Sequence, residues 1–253
     1  MSTFPAAPSA DQPPRWTRWH TVSQLLIIMA IAVVGVAAPA WQMNELLTWL
    51  IIVALFLAFL FVVGHGITGR LQGLLIDERN KMSLSRLQLV LWTLVILTGL
   101  LTVALSNIGR GSPTPLAIVI PTQVWLLMGI STTSLVGSPL LKSNKMAAGK
   151  IKVREDLNDA EVADLFRGEE NSNCNTLDLA KVQMFFFTLV LVLAYAVLLG
   201  SLFAHTTGPI AGLPDIDPSM TTLLGISHAG YLANKAVPHP GAPQQERAQE
   251  PAG

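Results

Sequence analysis

The feature that most constrains this chain is the recurrence of apolar stretches, each about long enough to cross a bilayer. The hydrocarbon core is about 30 Å thick and a helix rises ~1.5 Å per residue, so a span needs ~20 mostly apolar residues. Val22 to Ala38, Leu46 to Val63, Leu87 to Leu105, Leu116 to Val136 and Val182 to Ala204 fit that demand. A sixth stretch, Pro218 to Ala233, is diluted by Thr221, Thr222, Ser227, His228 and Tyr231. Composition agrees with a lipid solvent, since 13% of residues are charged against about 25% in soluble domains.

Charge placement supports the sixth stretch, because the cytoplasmic flanks of membrane helices retain Lys and Arg. With six alternating spans, every basic residue except Arg110 falls on one side, from Arg15 and Arg18 to Lys235 and Arg247. That side is expected to be the cytoplasm of a bacterial cell, with both termini in it. The expected fold is therefore an all-α, polytopic transmembrane helical bundle. Arg15 and Arg18 before an apolar core, with Ala38, Pro39 and Ala40 after it, also resemble a secretory signal and its cleavage site. The central proline and the long leading segment weigh against cleavage.

A duplication organises the last four spans. Arg86, Gln88 and Thr93 open the third span as Lys181, Gln183 and Thr188 open the fifth. The fourth carries Gly129, Ile130 and Ser131 where the sixth carries Gly225, Ile226 and Ser227. Each unit contains two spans, so the two hairpins run parallel, unlike the inverted repeats of many transporters. The expected organisation is a disordered cytoplasmic N-terminus (1–21), a leading transmembrane hairpin (22–64), a first hairpin repeat (83–138), a cytoplasmic loop (139–181), a second hairpin repeat (182–235) and a disordered C-terminus (236–253).

The repeated positions have chemical roles. Ser83 and Asp178 precede the glutamines as helix N-caps. Gln88 and Gln183 then sit near the start of each helix, where an amide needs a neighbouring helix or interfacial water. Small residues recur every fourth position, Gly129, Thr133 and Gly137 in one later helix and Gly225, Ala229 and Ala233 in the other. Such faces let helices approach closely in lipid, which places them inside the bundle or in a homo-oligomer. Ser131, Thr132, Ser134 and Ser138 allow interhelical contact or a pore lining.

The loop is electrically two-sided. Residues 139–154 are basic and suit topology retention or anionic lipid headgroups. Residues 155–170 are acidic, and Asn158 with Glu161 forms a capping box ahead of Val162, Leu165 and Phe166. A short amphipathic helix is expected there, docked on the bundle, lying on the membrane or receiving a cytoplasmic protein partner.

Several chemistries find no support. Zero net charge gives no basic nucleic-acid surface. The lone Cys174 lacks a zinc-type spacing. Gly64, Gly66 and Gly69 match GxGxxG formally, but they follow a membrane helix, so a flexible helix exit is expected. Asp215, Asp217 and Pro218 read as a helix start, not a calcium or catalytic pair. No cofactor, metal site or enzymatic activity is expected.

His228 is the one strongly titratable side chain expected within a span, apart from Tyr231. Its readings are a packing histidine, a proton relay or gate, and, with Ser131 or Ser227, a hydrolytic pair that lacks any supporting elbow motif. The functional expectation is a non-enzymatic membrane scaffold or oligomeric assembly subunit. The alternative is a small channel or carrier lined by Ser131, Thr132, Ser134, Ser227 and His228.

Overall fold

A computed structural model describes residues 16–147, 160–170 and 173–237, and from 138 to 147 the backbone alone. Six long helices account for most of them: α1 (Arg18–Ala40), α2 (Glu45–Thr68), α3 (Leu84–Gly109), α4 (Thr122–Ala147), α5 (Leu179–His205) and α6 (Pro218–Ala236). No strand occurs among the described residues, only isolated bridges between loops. Four helices, α1, α2, α3 and α5, are long and apolar enough to cross a membrane. Helix α6 is too polar to meet that measure and the side chains of α4 are described only as far as residue 137, so the coarse expectation of a helical chain with helices able to cross a membrane holds.

The helix boundaries have local causes. Asn44 caps α2 by accepting the Leu47 amide at 3.0 Å, and Gly69 ends it in the left-handed region at φ 73°. Asp178 caps α5 by accepting the amides of Ala180 and Lys181, and Asp217 caps α6 ahead of Pro218 at its first position. Helix α4 starts at Thr122, later than the Leu116 expected from hydropathy. Pro121 has no amide hydrogen, and Val119 commits its amide to Ala211 and its carbonyl to Leu213, pairing this loop with the one after α5. At its other end α4 continues to Ala147, so helix replaces the start of the expected 139–181 loop.

Residues 1–15, 148–159, 171–172 and 238–253 lie outside the described residues. The termini expected to be disordered, most of the basic 139–154 segment and Asn158 fall largely among them. Within the described part, helix already begins at Arg18. The expected amphipathic helix is a single 3-10 turn, Val162–Leu165, capped by Glu161 and Asp164 in place of Asn158 and Glu161.

Helix α3 is central. It packs on α1, α2, α4 and α5, while α6 fills the remaining side between α4 and α5. Hairpin α3–α4 thus lies beside hairpin α5–α6, with α3 against α5 and α4 against α6. One end of the bundle gathers Met82, Leu84, Leu165, Met184 and Tyr231. The body and far end gather Trp92, Val103, Leu127, Leu199, Phe203, Ile210 and Leu213. Helix α1 is peripheral: 11% of its most apolar window is buried, against 56% for α3. Its Leu26, Met29, Val33 and Val36 and the Val190, Leu193 and Val197 of α5 face outward. An apolar surface of that extent is stable against lipid and unfavourable in water.

The glycines after α2 have a packing reason. Gly66 lies under the Trp16 ring, leaving no room for a β-carbon, and Gly64 packs on the Leu74 amide of the turn Gly73–Leu75. This helix end is packed, where the sequence suggested a flexible exit.

Candidate functional site

The four helices α3 to α6 each turn one stripe inward, and the stripes carry the chemistry. On α3 the buried face includes Ser85, Gln88 and Trp92. On α4 it includes Val124, Leu127, Ser131 and Ser134. On α5 it runs through Lys181, Met184, Thr188, Val192 and Tyr195, and on α6 through Thr221, Leu224, Ser227, His228, Tyr231 and Lys235. The spacings follow the three-to-four-residue period of one helix face.

Three of these side chains bond to one another. Gln88 Nε2 donates to Thr188 Oγ1 at 2.6 Å. Gln88 Oε1 lies 3.1 Å from His228 Nε2, and His228 Nδ1 lies 2.9 Å from the Leu224 carbonyl one turn earlier. Gln88 is 0% exposed and His228 3%. The cluster therefore ties α3, α5 and α6 together well away from solvent. On the same four helices, Ser85, Ser131, Ser134, Thr221 and Ser227 hold buried hydroxyls that make no hydrogen bond among the described residues.

At the basic end an ion cluster closes the bundle. Glu169 Oε1 lies 2.8 Å from Lys235 Nζ and 3.3 Å from Lys181 Nζ, and its Oε2 lies 3.5 Å from Arg79. Arg79 also pairs with Asp77 at 2.9 Å, and Lys235 donates to Tyr231 Oη at 2.7 Å. Burial disfavours the Arg79 charge, yet the carboxylates of Glu169 and Asp77 outweigh it and raise its pKa above the ordinary value. Lys181 further donates to the carbonyls of Asp164 and Arg167. The cluster fixes the loops before α3 and α5 to the ends of α5 and α6.

The opposite end is closed by loops. Asn107 donates to the Ile210 and Pro115 carbonyls and accepts the Ile210 amide at 2.7 Å. Arg110 bonds the carbonyls of Thr206 and Gly208 and pairs with Glu45 at 2.8 Å. A pocket of about 310 Å³ beside this pair is lined by Gln42, Glu45, Thr48, Thr102, Ser106 and neighbouring residues. At the start of α6, hydrogen bonds from the Ser219 side chain and amide hold the Asp217 carboxyl below its ordinary pKa.

The positions singled out from sequence divide into two sets. Gln88, Ser131, Ser227 and His228 are buried within the bundle. Gln183, the counterpart of Gln88, is exposed on α5. Gly129 and Thr133 are exposed on α4, where the Thr133 hydroxyl donates to the Gly129 carbonyl at 2.8 Å. Gly225 is half-buried, with Ile130 near it, and Ala229 is exposed. Gly225 and Ala229 line an open groove of about 520 Å³ between α4 and α6, whereas Gly129 and Thr133 are exposed on α4 outside that lining.

Sequence reasoning missed the two ion-paired ends. It assigned Lys181 and Lys235 to topology and Arg110 to the one exception, yet each has a buried or half-buried acidic partner. Glu169 lies within the acidic run and Glu45 at a span start, which is the only signal the chain offers. Among the described residues, no group of three His, Cys, Asp or Glu side chains could hold a metal ion. Compared with protein-family models, curated proteins and solved structures, the chain matches none.

Proposed function

We propose that this chain is a six-span scaffold or assembly subunit of a bacterial cytoplasmic membrane, associating with copies of itself through the outer face of α4 and α6. The observation that carries this reading is the outward exposure of Gly129 and Thr133 on α4 and of Ala229 on α6, with Gly225 and Ala229 lining an open groove between the two helices. In lipid, small residues gain little from facing acyl chains and permit close helix contact. Helices α4 and α6 count as spans because they run alongside α3 and α5 and carry Ser131, Ser134, Ser227 and His228 inward. Even the 19-residue α6 reaches ~28 Å at 1.5 Å per residue. Trp19 and Trp41, each 78% exposed, flank α1 as interfacial anchors.

Lys and Arg placement puts both termini and the basic end in the cytoplasm. Anionic lipid headgroups are the partner this reading assigns to the basic segment 139–154. The described part of the acidic stretch turns Asp164, Leu165 and Glu170 inward, which leaves Val162 and the Arg167–Glu161 pair for a cytoplasmic partner.

A second reading, a small channel or carrier, draws on the unpartnered hydroxyls of Ser131, Ser134 and Ser227 beside His228. Against it stand the ion cluster at one end of the same four helices and the Asn107-pinned loops at the other. Mass measurement in mild detergent followed by liposome flux separates the readings. A defined oligomer without flux is expected; a monomer, or selective flux of an ion or solute, overturns the scaffold.

A further inference from the structure

The hydrogen bonds around His228 contain a conflict that either a proton on the ring or a reversal of the Gln88 amide resolves. The Leu224 carbonyl only accepts, so Nδ1 at 2.9 Å carries a hydrogen. A neutral imidazole then has a bare lone pair on Nε2, yet that nitrogen faces Gln88 Oε1, also an acceptor, at 3.1 Å. Two arrangements remove the clash without moving a helix.

In the first, His228 is protonated on both nitrogens and donates to Leu224 and to Gln88 Oε1, while Gln88 Nε2 donates to Thr188 Oγ1 at 2.6 Å. In the second, His228 is neutral and the Gln88 amide is rotated by half a turn. Its Nε2 then donates to His228 Nε2, and its Oε1 accepts the Thr188 hydroxyl hydrogen. Amide nitrogen and oxygen are close to isosteric, so the same heavy-atom positions serve both arrangements. Each leaves every polar atom of the three side chains that faces another in a donor–acceptor pair.

We propose that His228 is a buried proton-binding site, and that gain or loss of its proton is coupled to reversal of the Gln88 amide and of the Thr188 hydroxyl. The proton adds to the Nε2 lone pair and leaves from the same atom. One titrating group on α6 thereby changes which partner donates on α3 and on α5. The function goes beyond self-association and does not rest on it.

The charged and titratable groups on the packed elements leave this role to His228. On α6 these are Tyr231 and Lys235, and Lys235 is held by Glu169. On α5, Lys181 is also held by Glu169, Asp178 caps the helix, and Tyr195 donates to the Pro214 carbonyl. Arg86 of α3 turns to Glu78 and the Ile76 carbonyl, and Arg79 is held by Asp77 and Glu169. The described side chains of α4 carry no ionisable group. Among the described residues no carboxylate bonds to His228, so the cation is supported by the Leu224 and Gln88 carbonyl oxygens.

The test uses the full chain in lipid nanodiscs, with His20, His65, His205 and His239 replaced by Asn so that His228 is the only ring observed. Nitrogen-15 spectra of the imidazole and of the glutamine side-chain amides are followed from about pH 9 to about pH 5. The Gln88 amide is assigned by its through-space contact to the ring, and independently by its loss in Gln88→Met. The expected result is that Nδ1 stays protonated throughout, while Nε2 gains a proton and the Gln88 amide signals move with the same midpoint. An Nε2 that titrates while the Gln88 amide stays unchanged overturns the proposal, as does an Nε2 that keeps one protonation state over the whole range.

Discussion

Gln88 of α3 donates to Thr188 of α5 at 2.6 Å across a separation of 100 residues, joining the first helix of one hairpin to the first helix of the next. The sequence-equivalent residues do not reciprocate. Gln183 is exposed on α5, and Thr93 is only half-buried on α3. Side-by-side helices with like sequences need not present the same face to each other, because α3 is surrounded and α5 lies at the bundle surface. The polar partner that an amide at this depth requires is supplied once.

The bond predicts a measurable coupling. Gln88→Leu leaves the Thr188 hydroxyl and one nitrogen of His228 without their partner, at about 1–3 kcal/mol per buried group. Thr188→Val removes one bond and keeps the shape. In a double-mutant cycle read by unfolding in mixed detergent, the pair is expected to couple by ~1 kcal/mol. Strict additivity of the two variants would mean that the bond contributes nothing.

Glu169 predicts a larger effect. It is the common partner of Arg79, Lys181 and Lys235, so Glu169→Gln leaves their charges short of a buried counterion. Breaking such a network costs about 3–5 kcal/mol. The exposed Glu161–Arg167 pair is the internal control, and Glu161→Gln is expected to change stability by under about 1 kcal/mol. Thermal unfolding in one detergent compares them directly. Equal shifts for the two variants would deny Glu169 its role as a lock.

Much of this architecture is legible in the sequence because lipid imposes a single demand, long runs of apolar residues with internally satisfied backbones. The starts of α5 and α6 follow from Asp178 and Asp217 by capping chemistry alone, whereas Ser83 stands at the N-cap of α3 without a side-chain capping bond. Hydropathy serves α6 less well, since averaging over a window ignores direction and its Ser227 and His228 point inward. The late start of α4 depends on Val119 pairing with Ala211 and Leu213, a contact far away in sequence. For the same reason the Glu169 cluster stays hidden: its members lie on separate loops and helix ends, and no local spacing betrays them. His228 stands out as a lone titratable group, but its partner Gln88 emerges only in three dimensions.

Arg110 is expected to hold the loops at its end of the bundle in place. It bonds the carbonyls of Thr206 and Gly208 and the carboxylate of Glu45, while Asn107 grips Ile210 from the same helix end. Arg110→Ala removes the first set and leaves the second. Amide exchange of residues 206–213 is therefore expected to quicken by about tenfold, corresponding to ~1.4 kcal/mol of local opening, with α5 itself unchanged. Asn107→Ala, which frees a buried amide and carbonyl, is expected to act on the same loop more strongly. Unchanged exchange in both variants would show that Val119 pairing alone secures the loop.

The small-residue face supplies the test most specific to assembly. Among the described residues no atom beyond its own helix lies within 4 Å of a β-carbon built on Gly129, so the side chain of Gly129→Leu starts out into open space. Gly225 has only Ile130 Cδ1 near its added carbon, at 3.7 Å, so Gly225→Ala is also accommodated. If copies of the chain meet through this face, the larger side chain at 129 holds two backbones apart and removes the close packing on which association in lipid depends. The expected outcome is an unchanged unfolding midpoint with loss of the oligomer in native mass measurement, while Leu26→Ala on the outer face of α1 leaves the oligomer intact. An oligomer that survives Gly129→Leu with equal affinity would move the interface elsewhere, and one disrupted equally by Leu26→Ala would point to α1.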